Sequence, residues 1–164
     1  MIEVLKKETI ILQQTPFFEV REAQNNKFKG LISRTSYRKF DTICPFTYSG
    51  VVSKPDYLTV QINEEEHIYL SPEYLLCINH SCQPNVFFDV DNWNLLCIQD
   101  IEPGDELCFF YPSTEWEMAE SFDCQCGSPR CLKKIKGASL ISQHILKNYR
   151  LSSFILKKAG LAHD

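Results

Sequence analysis

Long apolar runs and an excess of positive charge are both missing from this 164-residue chain. No stretch approaches the roughly 18 consecutive apolar residues that suggest a membrane-spanning helix. The 21 acidic residues outnumber the 17 basic ones, and the formal charge of −4 lacks the basic excess of nucleic-acid-binding surfaces. We therefore expect neither a membrane partner nor direct binding to DNA or RNA, and a cationic partner suits the charge better.

A secretory signal is also missing from the start of the chain. Its apolar residues are interrupted by Lys6, Lys7 and Glu8, and no small-residue cleavage site follows. Eight cysteines without such a signal indicate a reducing compartment, in which thiols are free or bound to metal. We expect an intracellular protein, and the sequence does not distinguish nucleus from cytoplasm.

The composition that remains is that of a globular domain, with 44% hydrophobic and 23% charged residues. Short runs rich in β-branched and aromatic residues alternate with turn residues, which favours a compact, mostly β domain. The predicted strands are residues 17–21, 31–33, 42–48, 57–62, 86–90, 93–99 and 106–111. Ser49 and Gly50 are expected to end the strand over 42–48.

Helices are predicted to be few and short. Ser71 and Pro72 have the residue types of a helix N-cap and first helical position. Ser139 is a candidate cap for the apolar residues at helical spacing within 140–146. A last short helix is expected over residues 152–159.

Three cysteines lie within eight residues at Cys124, Cys126 and Cys131. A glycine and a proline between them allow a tight wrap around one tetrahedral ion, and structural zinc normally takes four protein ligands. Cys82 is the best candidate for the fourth because it lies in a polar turn. The alternative is that the three thiols are free or form a disulfide. The remaining cysteines lie in apolar runs and are expected in the core: Cys44, Cys77, Cys97 and Cys108.

Several motifs together resemble a SET-domain protein-lysine methyltransferase. Residues 79–85 match N-H-S-C-x-P-N, residues 104–111 resemble G-E-E-L-x-F-D-Y, and residues 124–131 match the post-SET knuckle C-x-C-x4-C. Upstream, residues 46–50 resemble the strand that carries an active-site tyrosine as Y-x-G. In that family the cysteine of N-H-S-C is the fourth zinc ligand, which agrees with Cys82.

The resemblance implies a fold and a domain division. We expect a SET-domain β-clip type fold of small sheets, with a threaded, pseudoknot-like C-terminal segment, short helices and a zinc knuckle. Residues 1–115 would form the SET domain, residues 116–136 the post-SET knuckle with one structural zinc ion, and residues 137–164 a helical tail. No cysteine-rich pre-SET segment is recognised.

The resemblance also implies the reaction. A methyl group would pass from S-adenosylmethionine to the ε-amine of a lysine in a protein or basic peptide, such as a histone tail. Tyr111 would orient the amine and Tyr48 would add a second hydroxyl. Phe109 stands where some family members have a tyrosine whose hydroxyl holds a water that blocks further methylation. Phenylalanine there predicts di- or trimethylation. The cofactor contacts implied by the resemblance are Lys29, Gly30, Leu31, Tyr57, Asn79 and His80.

Two residues depart from the family pattern. Phe28 stands where the family's cofactor loop has its first glycine, and Phe110 replaces a common aspartate. The missing glycine favours the competing hypothesis, a catalytically silent SET module that binds a peptide or partner. Asn79, Tyr48 and Tyr111 are all present, which favours the enzyme. The sequence predicts no oligomeric state.

Overall fold

A computed structural model of the chain describes residues 8–161. The strands, in chain order, are β1 (Thr9–Gln14), β2 (Phe18–Ala23), β3 (Lys29–Ser33), β4 (Thr42–Pro45), β5 (Thr47–Val52), β6 (Thr59–Gln61), β7 (His67–Ser71), β8 (Asn79–His80), β9 (Val86–Asp89), β10 (Asn94–Cys97), β11 (Cys108–Phe109), β12 (Phe122–Asp123) and β13 (Lys134–Ile135). Three 3-10 turns span Glu73–Cys77, Tyr111–Ser113 and Ala138–Leu140, and the helices are α1 (Gln143–Leu146) and α2 (Ser153–Lys158).

These strands form small sheets rather than one large one. Three of the sheets have three strands, in the orders β1-β2-β3, β4-β10-β9 and β5-β7-β6. Two further pairs are β8 with β11 and β12 with β13. The predicted fold class, mostly β with small sheets and few short helices, is confirmed. Within residues 8–161, no helix is long and apolar enough to cross a membrane.

The pairing of β8 with β11 places the motifs at residues 79–85 and 104–111 side by side. It is parallel, with Cys108 opposite Asn79 and Phe109 opposite His80. Asn85 fastens β11 to the turn at 79–85, because its Oδ1 accepts from the Cys108 N–H at 2.8 Å and its own N–H donates to the Cys108 carbonyl at 3.0 Å. The two motifs that were far apart in sequence therefore become one structural unit.

The main core lies between the three larger sheets. Its fully buried side chains include Leu31, Ile68, Phe88, Leu95 and Ile101. Each such side chain contributes about 1.5–3 kcal/mol relative to exposure. A second apolar cluster joins Phe110 of the domain to Leu146 and Ile155 of the C-terminal helices.

Three local predictions are wrong. Ser49 and Gly50 do not end a strand: β5 continues to Val52 across a bulge, and a Cβ at Gly50 would lie 3.4 Å from the Tyr69 ring. Pro72 itself takes the N-cap position of a 3-10 turn, without a side-chain cap from Ser71, because β7 runs through Ser71.

The third wrong prediction concerns Ser139, which lies inside a 3-10 turn, whereas α1 follows Ser142. The last helix is close to its prediction. Ser152 is its N-cap, and the hydroxyl oxygen accepts a hydrogen bond from the Ile155 N–H. β1 and β7 were not predicted as strands. The proposed division at residues 115 and 136 stays a prediction.

Candidate active site and metal centre

Tyr111 begins a 3-10 turn one residue after the end of β11, so its ring is placed by the paired motif strands. The ring centroid lies 4.7 Å from that of Phe109, 5.1 Å from that of His80 and 5.9 Å from that of Phe122. The Tyr111 N–H donates to His80 Nδ1 at 3.3 Å. An aromatic cage thus surrounds the predicted central tyrosine.

This cage forms one wall of a cavity of about 460 Å³. The apolar part of the lining includes Leu70, Leu75 and Ile78, and the aromatic part includes Tyr57 and Phe122. The remaining lining side chains that matter for chemistry are Asp56, Phe109, Tyr111, Glu115 and Glu120. A cavity of this kind can hold a long side chain that carries a polar group at its tip.

Burial sets the electrostatics of the tyrosine. Desolvation, with added repulsion from Cys108 and Glu106, raises the pKa of Tyr111 above its ordinary value. The phenol therefore stays neutral at physiological pH, where it can both donate and accept a hydrogen bond.

Tyr48 lies elsewhere. Its side chain is half exposed and packs on Trp93, with 5.7 Å between ring centroids. It is absent from the described residues that line the cavity. The structure therefore brings Phe109 and Tyr111 together but leaves Tyr48 apart, and the catalytic role of Tyr48 stays a prediction.

The predicted cofactor residues form two groups. Lys29, Gly30 and Leu31 lie in β3, where Leu31 is fully buried and its carbonyl accepts from the Leu107 N–H at 2.8 Å. Asn79 joins this group, because its Nδ2 donates to the Lys29 carbonyl at 2.7 Å. Tyr57 belongs to the other group, since it is 87% exposed at the cavity.

The side chains of Asn79 and His80 already form hydrogen bonds with other parts of the protein. The Asn79 Nδ2 also donates to Glu106 Oε1 at 2.7 Å, so that nitrogen is already occupied and Oδ1 is left for a ligand. The His80 ring is buried, and desolvation lowers its pKa to about 3. A neutral imidazole that accepts from the Tyr111 N–H fits a positioning role.

Two buried carboxyl groups were not singled out from the sequence. Glu106 stands beside Asn79, burial raises its pKa, and its Oε2 has no hydrogen-bond partner among the described residues. Glu115 lines the tyrosine cavity, and burial raises its pKa to about 7. Glu106 belongs to the motif at residues 104–111, whereas Glu115 lies in a polar stretch in which no motif indicates a functional residue.

The predicted metal ligands do come together. The sulfur atoms of Cys82, Cys124, Cys126 and Cys131 all lie within 4.8 Å of one another, and Cys82 is 4.0 Å from Cys124. Tetrahedral zinc with bonds of about 2.3 Å would separate its sulfur ligands by about 3.8 Å. The cluster is therefore compatible with one zinc ion.

Backbone N–H groups donate hydrogen bonds to two sulfur atoms of this cluster. The Leu132 N–H donates to Cys82 Sγ and the Lys133 N–H to Cys131 Sγ, both at 3.4 Å. Burial alone would raise the pKa of Cys126, but hydrogen bonds from the backbone and from the Cys124 and Cys131 thiols outweigh it and lower the pKa to about 7. Burial raises the pKa of Cys82 and of Cys124. Of the other thiols, Cys97 and Cys108 are buried, and Cys44 and Cys77 are half-buried.

A family model described as SET domain matches residues 3–112. The chain therefore belongs to the SET domain family. Methyltransferase flvH of Aspergillus flavus is 38% identical over 104 residues, which is 62% of this chain and 58% of that protein.

Two further relatives are named as histone-lysine N-methyltransferases specific for H3 lysine-36. The protein of Candida albicans is 37% identical over 68 residues, which is 37% of this chain and 8% of that protein. The protein of Debaryomyces hansenii is 30% identical over 93 residues, which is 52% of this chain and 12% of that protein. In all three comparisons the match spans less than two thirds of the relative's length.

Proposed function

We propose that this protein is a methyltransferase that moves the methyl group of S-adenosylmethionine to the ε-amine of a lysine in a protein or basic peptide. The observation that carries this proposal is the cavity walled by Tyr111 and Phe109, directly beside the paired motif strands. The relatives support it, since one is named a methyltransferase and two are named histone-lysine methyltransferases.

The cavity would help the amine lose its proton. A lysine with a pKa of about 10.4 is neutral in fewer than about one molecule in a thousand at pH 7, a handicap of roughly 4–5 kcal/mol. Apolar walls such as Leu70, Leu75 and Ile78 disfavour the ammonium form and lower that pKa. The Tyr111 hydroxyl, which is neutral, would orient the lone pair of the amine.

S-Adenosylmethionine supplies an electrophilic methyl group on a sulfonium. The backbone of Lys29, Gly30 and Leu31, with Asn79 and His80, would hold it, and Tyr57 would cover it. Glu106 supports this assignment, because a buried carboxylate oxygen without a partner suits the ammonium group of an amino acid.

Cys82, Cys124, Cys126 and Cys131 would bind one structural zinc ion. The metal would fasten the knuckle to the turn at 79–85, and so to the predicted cofactor residues Asn79 and His80. We also propose an intracellular location, where a reducing environment keeps these thiols available.

Labelled methyl transfer tests the proposed function. The purified chain with radiolabelled S-adenosylmethionine should label histones or a lysine-rich protein from a cell lysate, and site mapping should find the label on lysine. Cofactor binding measured by calorimetry accompanies the assay. Labelling on other residue types would contradict the lysine assignment.

A silent SET module is the second candidate, and the exposed position of Tyr48 outside the cavity favours it. Such a module would bind the cofactor or a lysine peptide without transferring a methyl group. Cofactor binding in calorimetry with no labelled product from histones and lysate would support this candidate over the enzyme.

A further inference from the structure

Glu115 is a buried acid fixed in the wall of the tyrosine cavity. Only 6% of the residue is exposed. Its Oε1 accepts from the Gln61 N–H at 2.8 Å and from the Thr114 hydroxyl at 3.1 Å. Its own N–H donates to the Tyr111 carbonyl at 3.0 Å, so the carboxyl group and the tyrosine are held in one rigid turn.

Both hydrogen bonds to this carboxyl group are accepted by Oε1. The other oxygen, Oε2, lies 3.8 Å from His67 Nδ1, which is beyond hydrogen-bond distance, and that ring nitrogen has no hydrogen-bond partner among the described residues. Burial lowers the pKa of His67, so the imidazole is neutral near pH 7 and does not act as a counter-ion. A buried carboxylate without a counter-ion favours a cationic ligand.

The other titratable groups around the cavity are consistent with such a ligand. The Tyr111 phenol is neutral, and Asp56 already accepts hydrogen bonds from the Tyr69 hydroxyl and the Leu58 N–H. Glu120 is exposed at the rim. The described residues that line the cavity include three acids and no lysine or arginine.

We propose that Glu115 is a catalytic residue that binds the ammonium group of the substrate in this cavity and accepts its proton. This inference rests on the proposed function. An N–H bond of the ammonium breaks, the proton forms an O–H bond at Oε2, and the nitrogen keeps the electron pair. That lone pair forms the N–C bond to the methyl group while the methyl–sulfur bond of S-adenosylmethionine breaks, and its electron pair stays on the sulfur of the thioether that leaves. The carboxyl proton later leaves to water. No oxidant or reductant is required.

The properties of the carboxyl group match this role. A base works best when its pKa lies near the working pH, and a positioned base typically contributes about 10²–10⁴-fold in rate. Burial raises the pKa of Glu115 to about 7, so about half of the groups are ionised and able to accept a proton at neutral pH.

The binding part is tested by carboxyl-carbon NMR of the full chain, with n-butylamine as the probe of a lysine side chain. One carboxyl resonance should titrate near pH 7, be absent in Glu115→Gln, and shift its midpoint downward when n-butylamine is added. Glu117→Gln, which removes an exposed charge two residues away, should keep that resonance. A midpoint that n-butylamine does not move would overturn the inference.

The proton-transfer part is tested by the pH profile of kcat. In the natural chain kcat should rise with pH through a midpoint below 7, as Glu115 ionises beside the bound ammonium group. Glu115→Gln should lower kcat at least tenfold and lose this limb, whereas Glu115→Asp should keep the limb at reduced kcat. A Glu115→Gln profile of unchanged shape would indicate a structural role and overturn the proposal.

The two parts separate the inference from the function on which it rests. If the natural chain transfers methyl groups but Glu115→Gln keeps the natural rate and profile, only the role of Glu115 is wrong. If the natural chain transfers no methyl group to any lysine pool, the proposed function and the proton transfer both fail, whatever n-butylamine does to the carboxyl resonance.

Discussion

The strand-built core and the segment after Tyr111 are stabilised in different ways. In the core, Phe88, Leu95 and Ile101 are completely buried among other apolar side chains. In the knuckle, the buried cluster consists of cysteines with Ile135 as its one buried aliphatic side chain among the described residues. The comparison teaches that apolar burial holds the first region, whereas the second combines a smaller apolar cluster around Leu146 and Ile155 with four cysteines that are compatible with one zinc ion.

Metal removal should produce the largest effect, and only in the second region. In zinc-finger peptides, structural zinc contributes an apparent binding free energy of about 10–16 kcal/mol. A chelator, or Cys126→Ser, should therefore abolish hydrogen-exchange protection over residues 122–135 while protection of Phe88 and Leu95 persists. Metal analysis should find one zinc per chain. Cys97→Ala, a buried cysteine outside the cluster, should keep that zinc. Unchanged hydrogen-exchange protection of residues 122–135 after complete chelation would show that a metal does not stabilise the second region.

Phe88→Ala should produce the opposite pattern. The Phe88 ring is fully buried, with ring centroids of Phe46 at 5.4 Å and Phe109 at 4.9 Å. Its truncation should lower the free energy of unfolding by about 3–5 kcal/mol. Denaturant titration measures this loss, and Phe40→Ala, at a site 73% exposed, is the matched control with an expected change of about 0.5 kcal/mol or less. Equal losses in the two variants would contradict the assigned core.

Tyr149 tests the contact between the regions. Its ring stacks on Phe110 with centroids 3.7 Å apart, and its hydroxyl donates to the Cys82 carbonyl at 3.0 Å. Tyr149→Phe keeps the stack and removes the hydrogen bond, which should lower stability by about 1 kcal/mol. Tyr149→Ala should lower it further. Thermal unfolding of the three proteins checks this order, and a Tyr149→Phe protein as stable as the natural one would show that the hydroxyl contributes nothing.

Phe109 and Phe110 are neighbours that belong to different regions. Phe109 packs in the main core and lines the cavity, whereas Phe110 packs against the C-terminal helices. Phe109→Tyr should leave stability nearly unchanged and shift the product toward monomethyl-lysine, because the added hydroxyl would hold a water in the space for further methyl groups. Mass spectrometry of the product checks this. An unchanged product distribution would show that Phe109 does not determine how many methyl groups are added.

Sequence motifs were sufficient to predict that four cysteines lie close together and that Tyr111 lies near the paired motif strands. Cys82 lies more than forty residues from Cys124, yet the resemblance and the polar turn both indicated it, and the four sulfur atoms do meet. Tyr111 was predicted from the motif at 104–111, and the structure places it in a cavity. Such motifs succeed because they specify local residue types with strict spacing.

Long-range placement was harder to predict. Tyr48 lies in β5, whose bulge and pairing with β7 fix the direction of its side chain. That pairing cannot be predicted from the residue type of Tyr48 alone. Glu115 became significant only when Gln61, 54 residues away, met it in the fold. The Phe110 substitution, unexplained by the motif, has a physical reason in its stack on Tyr149.

Tyr111→Phe tests the central claim most directly, namely that methyl transfer takes place in the cavity under Tyr111. Loss of one catalytic hydrogen-bond donor typically costs about 10²–10³-fold in kcat. Labelled methyl transfer to the same lysine-containing substrate should therefore fall about a hundredfold or more while the variant unfolds at the natural temperature. Tyr74→Phe, which alters a tyrosine of the main core outside the cavity, should keep the natural rate. A folded Tyr111→Phe protein with the natural rate would contradict the account.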